Sequence, residues 1–300
     1  MKQQVNKNAV VMKFRWVVLA LIGFAVVVSS GIGYIPLARA IQSDSQVRYD
    51  VLKRSHYTIH TVTIPHDSNY IVVPEIGELK PISEFAQQDV VAVINGGYFD
   101  PVNQKTTSFI IQDSQIVADP RFNERLVDNP DLKPYLSKIF NRAEFRRYSC
   151  EDKMLYDIQP HSAPIPFNCT LKASLGGGPN LLPEDSSVAE GFIAYKDGEK
   201  IRDAIGSEGL NARSAVGMTA VGDVILVMVA QQPEQPLNSG ISLPELADVL
   251  SELGAVKAMN LDGGSSSSLY YNGQAVYGRL DKEGNKIQRP IKSVLLVTKE

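Results

Sequence analysis

Alternating, apolar and helically spaced stretches divide the chain and predict its elements. Residues 57–64 alternate and are rich in β-branched side chains, the mark of a strand. Ile71-Val72-Val73 predicts a short strand that stops at Pro74. Residues 90–94 and 224–230 are unbroken apolar runs, as expected of strands buried on both faces. Val221-Gly222-Asp223 reads as a turn, so 211–219 and 224–230 should form a hairpin. Ser83 to Gln88 predicts a short helix with Ser83 near its cap. A firmer helix starts at Ser242-Leu243-Pro244-Glu245, a capping-box sequence. Leu243, Leu246, Ala247, Leu250 and Leu253 follow at helical spacing, and Gly254 stops the helix. Residues 255–261 predict a short strand and 291–298 a last one. Asn272-Gly273 favours a type I′ turn pairing 268–271 with 274–277. Residues 119–170 hold mixed charges, six prolines and poor periodicity. They predict an irregular insertion with one helix near 134–147. The elements add up to an α+β domain, with mixed sheet and a few packed helices, over 41–300.

The first 40 residues read differently. Lys2, Lys7, Lys13 and Arg15 precede an apolar run over 16–35, and Ala38-Arg39-Ala40 follows. This is the pattern of a secretory signal peptide cleaved after Ala40, or of an uncleaved anchor, since the run approaches the ~20 residues that span a bilayer. Either way the remainder is expected outside the cytoplasm, in the periplasm or beyond, with the membrane a partner only through 16–35. Cys150 and Cys169, the two cysteines of the chain, are then expected to pair in an oxidising compartment. No C-x-x-C or histidine spacing makes them a metal site.

Composition narrows the function. The 300 residues are 44% hydrophobic and 21% charged, with a net charge of −3, so nucleic acid is not an expected partner. The basic run Arg142, Arg146, Arg147 reads as a solvated face. Three glycine clusters end or follow apolar runs: Gly96-Gly97, Gly176-Gly177-Gly178 and Gly263-Gly264. Asn95, Asn180, Asn260 and Asp262 accompany them. Such amide-rich turns suit anions and sugar hydroxyls if they meet on one rim. Asn260-Leu261-Asp262-Gly263-Gly264 followed by four serines could be read as a linker, but it lies between a buried strand and a hairpin, which argues for a loop that holds a ligand. Arg213 could clamp a phosphate, and Asp262 could serve as base or nucleophile at a sugar carbon. Asp100 is a candidate second carboxylate. His56, His60, His66 and His161 include no H-E-x-x-H, so no metal ligand set is expected, although an all-oxygen calcium site stays open. A serine hydrolase is disfavoured because the glycine-serine run misses G-x-S-x-G at its last position.

Four motifs occur in order: Asn95-Gly96-Gly97-Tyr98-Phe99, Gly177-Gly178-Pro179, Asn211-Ala212-Arg213-Ser214-Ala215-Val216-Gly217, and Asn260-Leu261-Asp262-Gly263-Gly264-Ser265-Ser266. Together they resemble the phosphodiester glycosidase domain over roughly residues 55–298. The resemblance implies a mixed α/β domain that cleaves a sugar-1-phosphodiester in a glycan or sugar-phosphate substrate; no cofactor is expected beyond the open calcium site. It places Asp262, Arg213 and Asn95 as catalytic residues. Gly96, Gly97, Gly177, Gly178, Asn211, Gly263, Gly264, Ser265 and Arg289 would bind substrate. Lys292 departs from the small polar residue expected near it. The envelope or extracellular glycoconjugates, including exopolysaccharide, are the implied setting, and a non-catalytic glycan-binding domain on the same fold is the alternative.

Overall fold

Alternation along two central strands decides the architecture. In Val224–Ala230 the side chains of Val224, Leu226 and Met228 enter one apolar cluster while Ile225, Val227 and Val229 enter another. In Val90–Asn95, Ala92 and Ile94 face the first cluster and Val93 faces a third. Strands buried on both faces need a layer on each side, and the computed structural model supplies them. It describes residues 46–151 and 153–300. The proposed leader over 1–40 lies outside these residues. Among the described residues no helix is long and apolar enough to cross a membrane.

Three antiparallel sheets share the first cluster, which joins Val62 and Met259, Ile94 and Leu295, and Phe145 and Leu175. A six-stranded sheet runs in the order Arg48–Lys53, Thr58–Ile64, Val224–Ala230, Arg213–Thr219, Ala255–Asn260, Asn180–Leu182. The helix Leu243–Glu252 covers its outer face through Leu246 and Leu250. A five-stranded sheet runs Gln274–Tyr277, Ser268–Tyr271, Val90–Asn95, Ile291–Lys299, Tyr70–Lys80, with Ile82 and Phe85 on its outer side. A second five-stranded sheet contains Gln115–Ala118, Ile110–Gln112, Cys169–Gly176, Ala143–Cys150 and Lys153–Pro160. The fold is therefore richer in strand than the α+β expectation. Every pairing between the named strands is antiparallel, so its sheets are not mixed.

Local signals map closely onto elements. Ser242 caps the helix by accepting from the Glu245 amide at 3.3 Å, and Gly254 follows its end at φ +89. Asn272 and Gly273 both have positive φ and set the expected hairpin register, Ser268 opposite Tyr277. Pro74 does not end its strand. Tyr70–Lys80 is an edge strand, and a proline there loses no ladder bond on its unpaired side. The helix expected at Ser83 is a single 3-10 turn over Ile82–Phe85.

Residues 119–170 are not irregular. Short turns over Pro120–Ile139 give way to the hairpin Ala143–Cys150 with Lys153–Pro160, so the helix expected through 147 ends at Ile139. Nor are the arginines a solvated face. Arg146 is 2% exposed and bonds Glu144, itself 1% exposed, at 2.9 Å, and three backbone carbonyls and the Tyr148 hydroxyl take its other donors. Arg142 is buried over the Phe192 ring at 3.7 Å. Cys150 and Cys169 stand opposite each other on adjacent strands and are bonded. A bond with 19 residues of separation should contribute about 3 kcal/mol by restricting the unfolded chain. The double variant Cys150→Ser, Cys169→Ser should lose about that much in a urea titration. An unchanged midpoint would mean that Ala143–Cys150 and Cys169–Gly176 are held together by their ladder alone.

Candidate active site

The three glycine clusters do converge. The strand Val90–Asn95 ends at Gly96, whose amide bonds the Ser293 carbonyl at 2.7 Å and whose carbonyl accepts from the Asp262 amide at 3.0 Å. The Gly178 amide donates to the Asn260 carbonyl at 2.8 Å, the Gly177 amide to the Ala143 carbonyl at 2.9 Å, and the Gly264 amide to the Ala212 carbonyl at 2.8 Å. Backbone bonds thus tie all four sequence motifs into one rim. Such crossings leave little room for side chains. A Cβ on Gly97 would lie 2.2 Å from the Gly176 carbonyl oxygen, and one on Gly178, at φ +96, would lie 2.0 Å from a Glu190 carboxylate oxygen.

Asn95 sits at the centre of this rim, fully buried. Its amide nitrogen donates to the Asp262 carbonyl at 2.6 Å, and its oxygen accepts from the Ser214 hydroxyl at 2.6 Å and the Ser268 amide at 3.1 Å. Through these three bonds it positions the Asp262 loop. Asn260 plays a similar part, donating to the Tyr98 hydroxyl at 2.7 Å, which in turn donates to the Gly178 carbonyl at 2.8 Å. Burial pushes the Tyr98 phenol well above its usual range, and the Asp262 charge adds to this.

Asp262 is the chemically distinctive group. Removal from water pushes its carboxyl up to about 6, although Ser266, the Arg289 charge and the Gly263 amide pull the other way. Arg289 donates to the Ser265 hydroxyl at 3.0 Å and lies over the Phe99 ring at 4.9 Å. Asn211 accepts from Arg279, which sequence reasoning did not single out because no motif marks it. Both arginines are half-buried and have N–H groups to spare. The polar atoms Ser108 Oγ, Asn260 Oδ1, Ser267 Oγ and Ser293 Oγ are buried around the same turns without a protein partner.

Two expected roles need correction. Arg213 lies beside Gly263, but four of its five N–H groups reach the carbonyls of Ile205, Gly206, Gly209 and Ile241. It pins the 205–209 loop to the sheet and is not a free phosphate clamp. Asp100 accepts from Arg125 at 2.8 Å and from the Val102 amide at 2.7 Å, and these bonds hold its carboxyl below the usual range against the opposing, and largest, effect of burial. It anchors a turn. The buried carboxylate closest in character to a second acid is instead Glu190, 6% exposed beneath Gly178, with its pKa raised by burial. The histidines are dispersed: His60 on Tyr49, His66 on Asp223, His161 on Glu144 and His56 near Glu245.

Known proteins resemble this chain in sequence and in fold. A segment of 64 residues is 42% identical to the bovine (Bos taurus) N-acetylglucosamine-1-phosphodiester alpha-N-acetylglucosaminidase, covering 21% of this chain and 12% of that protein. The chain thus matches only a small part of the curated relative's length. The zebrafish catalytic domain of the same enzyme, described as auto-inhibited by its pro-peptide, superposes with a TM-score of 0.59 at 19% identity, covering 85% of this chain and 83% of that one. A hypothetical protein from Synechocystis superposes at 0.54 with 17% identity, over 85% of this chain and 62% of the other. At these identities the superpositions speak to fold alone. The family model for phosphodiester glycosidase matches residues 88–298, which takes in the whole rim from Asn95 to Arg289, and the chain belongs to that family.

Proposed function

We propose that the protein is an exported glycosidase that hydrolyses a sugar-1-phosphodiester in cell-envelope or extracellular glycoconjugates. The observation that carries this reading is the placement of one carboxyl, Asp262, on the rim of glycine turns within the field of Arg289, with Arg279 on Asn211 beside Gly264. A phosphate ester is a good leaving group, so the bond from the sugar carbon to the phosphate oxygen breaks with little need for a proton donor. Charge then grows on the departing phosphate, where Arg289 and Arg279 stabilise it. The ionised Asp262 carboxylate faces the electron-poor sugar carbon and supports it or directs water to it. The products are the free sugar and a phosphomonoester. The disulfide between Cys150 and Cys169 supports an oxidising, extracytoplasmic location.

The test is release of free sugar from a panel of sugar-1-phosphodiesters, beginning with N-acetylglucosamine-1-phosphodiesters. Turnover supports the reading. Saturable glycan binding with no turnover across the panel would replace it with a binding domain on the same fold. The two arginine types should separate in this assay. Arg289→Ala is expected to lower kcat/KM about 100-fold with little effect on stability, as removal of one transition-state donor does. Arg213→Ala should instead cost about 2 kcal/mol or more of stability, because buried carbonyls lose their donors. The opposite pattern in the two variants would return the clamp role to Arg213.

A further inference from the structure

A second groove opens beside the rim, with a volume of about 450 Å³, lined in part by Ile76, Glu78, Thr106, Val117, Phe122 and Lys292. It is joined to the site at two points. Thr106 bridges to Phe99, whose ring lies under Arg289. Lys292 is the neighbour in sequence of Ser293, whose carbonyl takes the Gly96 amide. A ligand whose phosphate sits at Arg289 therefore has this groove within reach of its other ester arm.

The charges along the groove are unequal in their commitments. Lys105 is paired with Glu124, Arg121 with Asp119 and Arg125 with Asp100. The Lys292 side chain is half-buried and, among the described residues, its ammonium has no hydrogen bond or ion pair. Glu78 lies on the adjacent strand, in the bulge across from Lys292, and is exposed to solvent without an ion pair to it. A half-buried ammonium gives up part of its hydration, and an anionic ligand would restore it. The exposed Phe122 and Val117 offer apolar surface to the carbon skeleton between two charges.

We propose that this groove is the subsite for the alcohol portion of the substrate, beyond the phosphate, and that Lys292 selects an alcohol portion carrying its own negative charge. The inference rests on the glycosidase reading for the identity of the ligand. The phosphomonoester product contains the same two anionic groups, so binding can be measured without turnover.

The experiment is calorimetric titration of the full chain and of Lys292→Gln with three small phosphomonoesters: phosphoglycolate, ethyl phosphate and phosphoethanolamine. Wild type is expected to bind phosphoglycolate about tenfold more tightly than ethyl phosphate, the worth of one charge-assisted contact. Lys292→Gln should erase that preference and leave ethyl phosphate binding unchanged. Equal binding of the two by wild type, no binding of either, or a loss in Lys292→Gln that is the same for both would overturn the proposal. A preference for phosphoethanolamine that Glu78→Gln removes would also overturn it, giving the selective role to the adjacent strand. Lys292-dependent preference without hydrolysis of any sugar-1-phosphodiester would sink the glycosidase reading while keeping the groove as an anion site.

Discussion

Asp262→Asn abolishes sugar release, with an expected fall in kcat/KM of about 1,000-fold or more, because the amide can neither carry the charge nor act as a base. The wild-type pH profile carries the same information. The carboxyl titrates at about 6 in the folded protein. If its ionised form does the work, kcat/KM rises as pH passes through about 6 and levels above it. A profile that falls through this range would make Asp262 a proton donor. The stability effect has the opposite direction. A carboxyl whose folded pKa lies above its ordinary value of 3.8 binds its proton more tightly in the folded chain. Stability is therefore fully present below about 4, falls as pH rises to about 6, and stays lower above that. The asparagine has no such cost. The variant should be more stable than wild type at pH 8, by about 3 kcal/mol, and lose that advantage near pH 4. A stability difference that does not change with pH would show that the carboxyl is not desolvated as the geometry implies.

Gly97→Ala is expected to lose about 3 kcal/mol or more of stability, and the site with it. The reason is steric. The added carbon meets the Gly176 carbonyl oxygen at 2.2 Å, and that oxygen belongs to backbone, so no rotamer relieves the contact. One of the two glycine turns must move, and both are bonded to the Asp262 loop or its neighbours. Gly209→Ala is the control, since its Cβ would meet nothing closer than 3.4 Å and its φ is not in the left-handed region. Urea midpoints of the two variants check the comparison. A Gly97→Ala protein within about 0.5 kcal/mol of wild type, the range of an ordinary surface change, would mean the glycine turns are not in contact.

What was legible in the sequence was whatever is decided over a few residues. Asn272-Gly273 reads as a hairpin because only such residues adopt two successive positive φ angles cheaply, and the register follows from the turn. The Leu243–Glu252 helix reads from its cap and its spacing, and the apolar run at 90–94 reads as a doubly buried strand. The glycine turns were legible as unusual, and their order along the chain carried the family.

What tertiary structure decided was which polar groups are spent and which are free. The strand Ala143–Cys150 was missed because its periodicity is interrupted by charge: Phe145 enters the apolar core, while Glu144 and Arg146 are buried in an ion pair. A hydropathy pattern scores such residues as exposed, since burial of a charge depends on a partner that the pattern does not contain. Arg213 looked like a phosphate clamp and Arg289 like a residue that binds substrate. Their difference lies in four carbonyls around one guanidinium and a single serine beside the other. Arg279 and Lys292 gain their meaning in the same way, from the neighbours that leave them N–H groups to offer. Backbone conformation is set by nearby residues, so the chain announces it locally. The commitment of a long charged side chain is set by groups brought from elsewhere in the sequence, and it exists only once the sheets have packed.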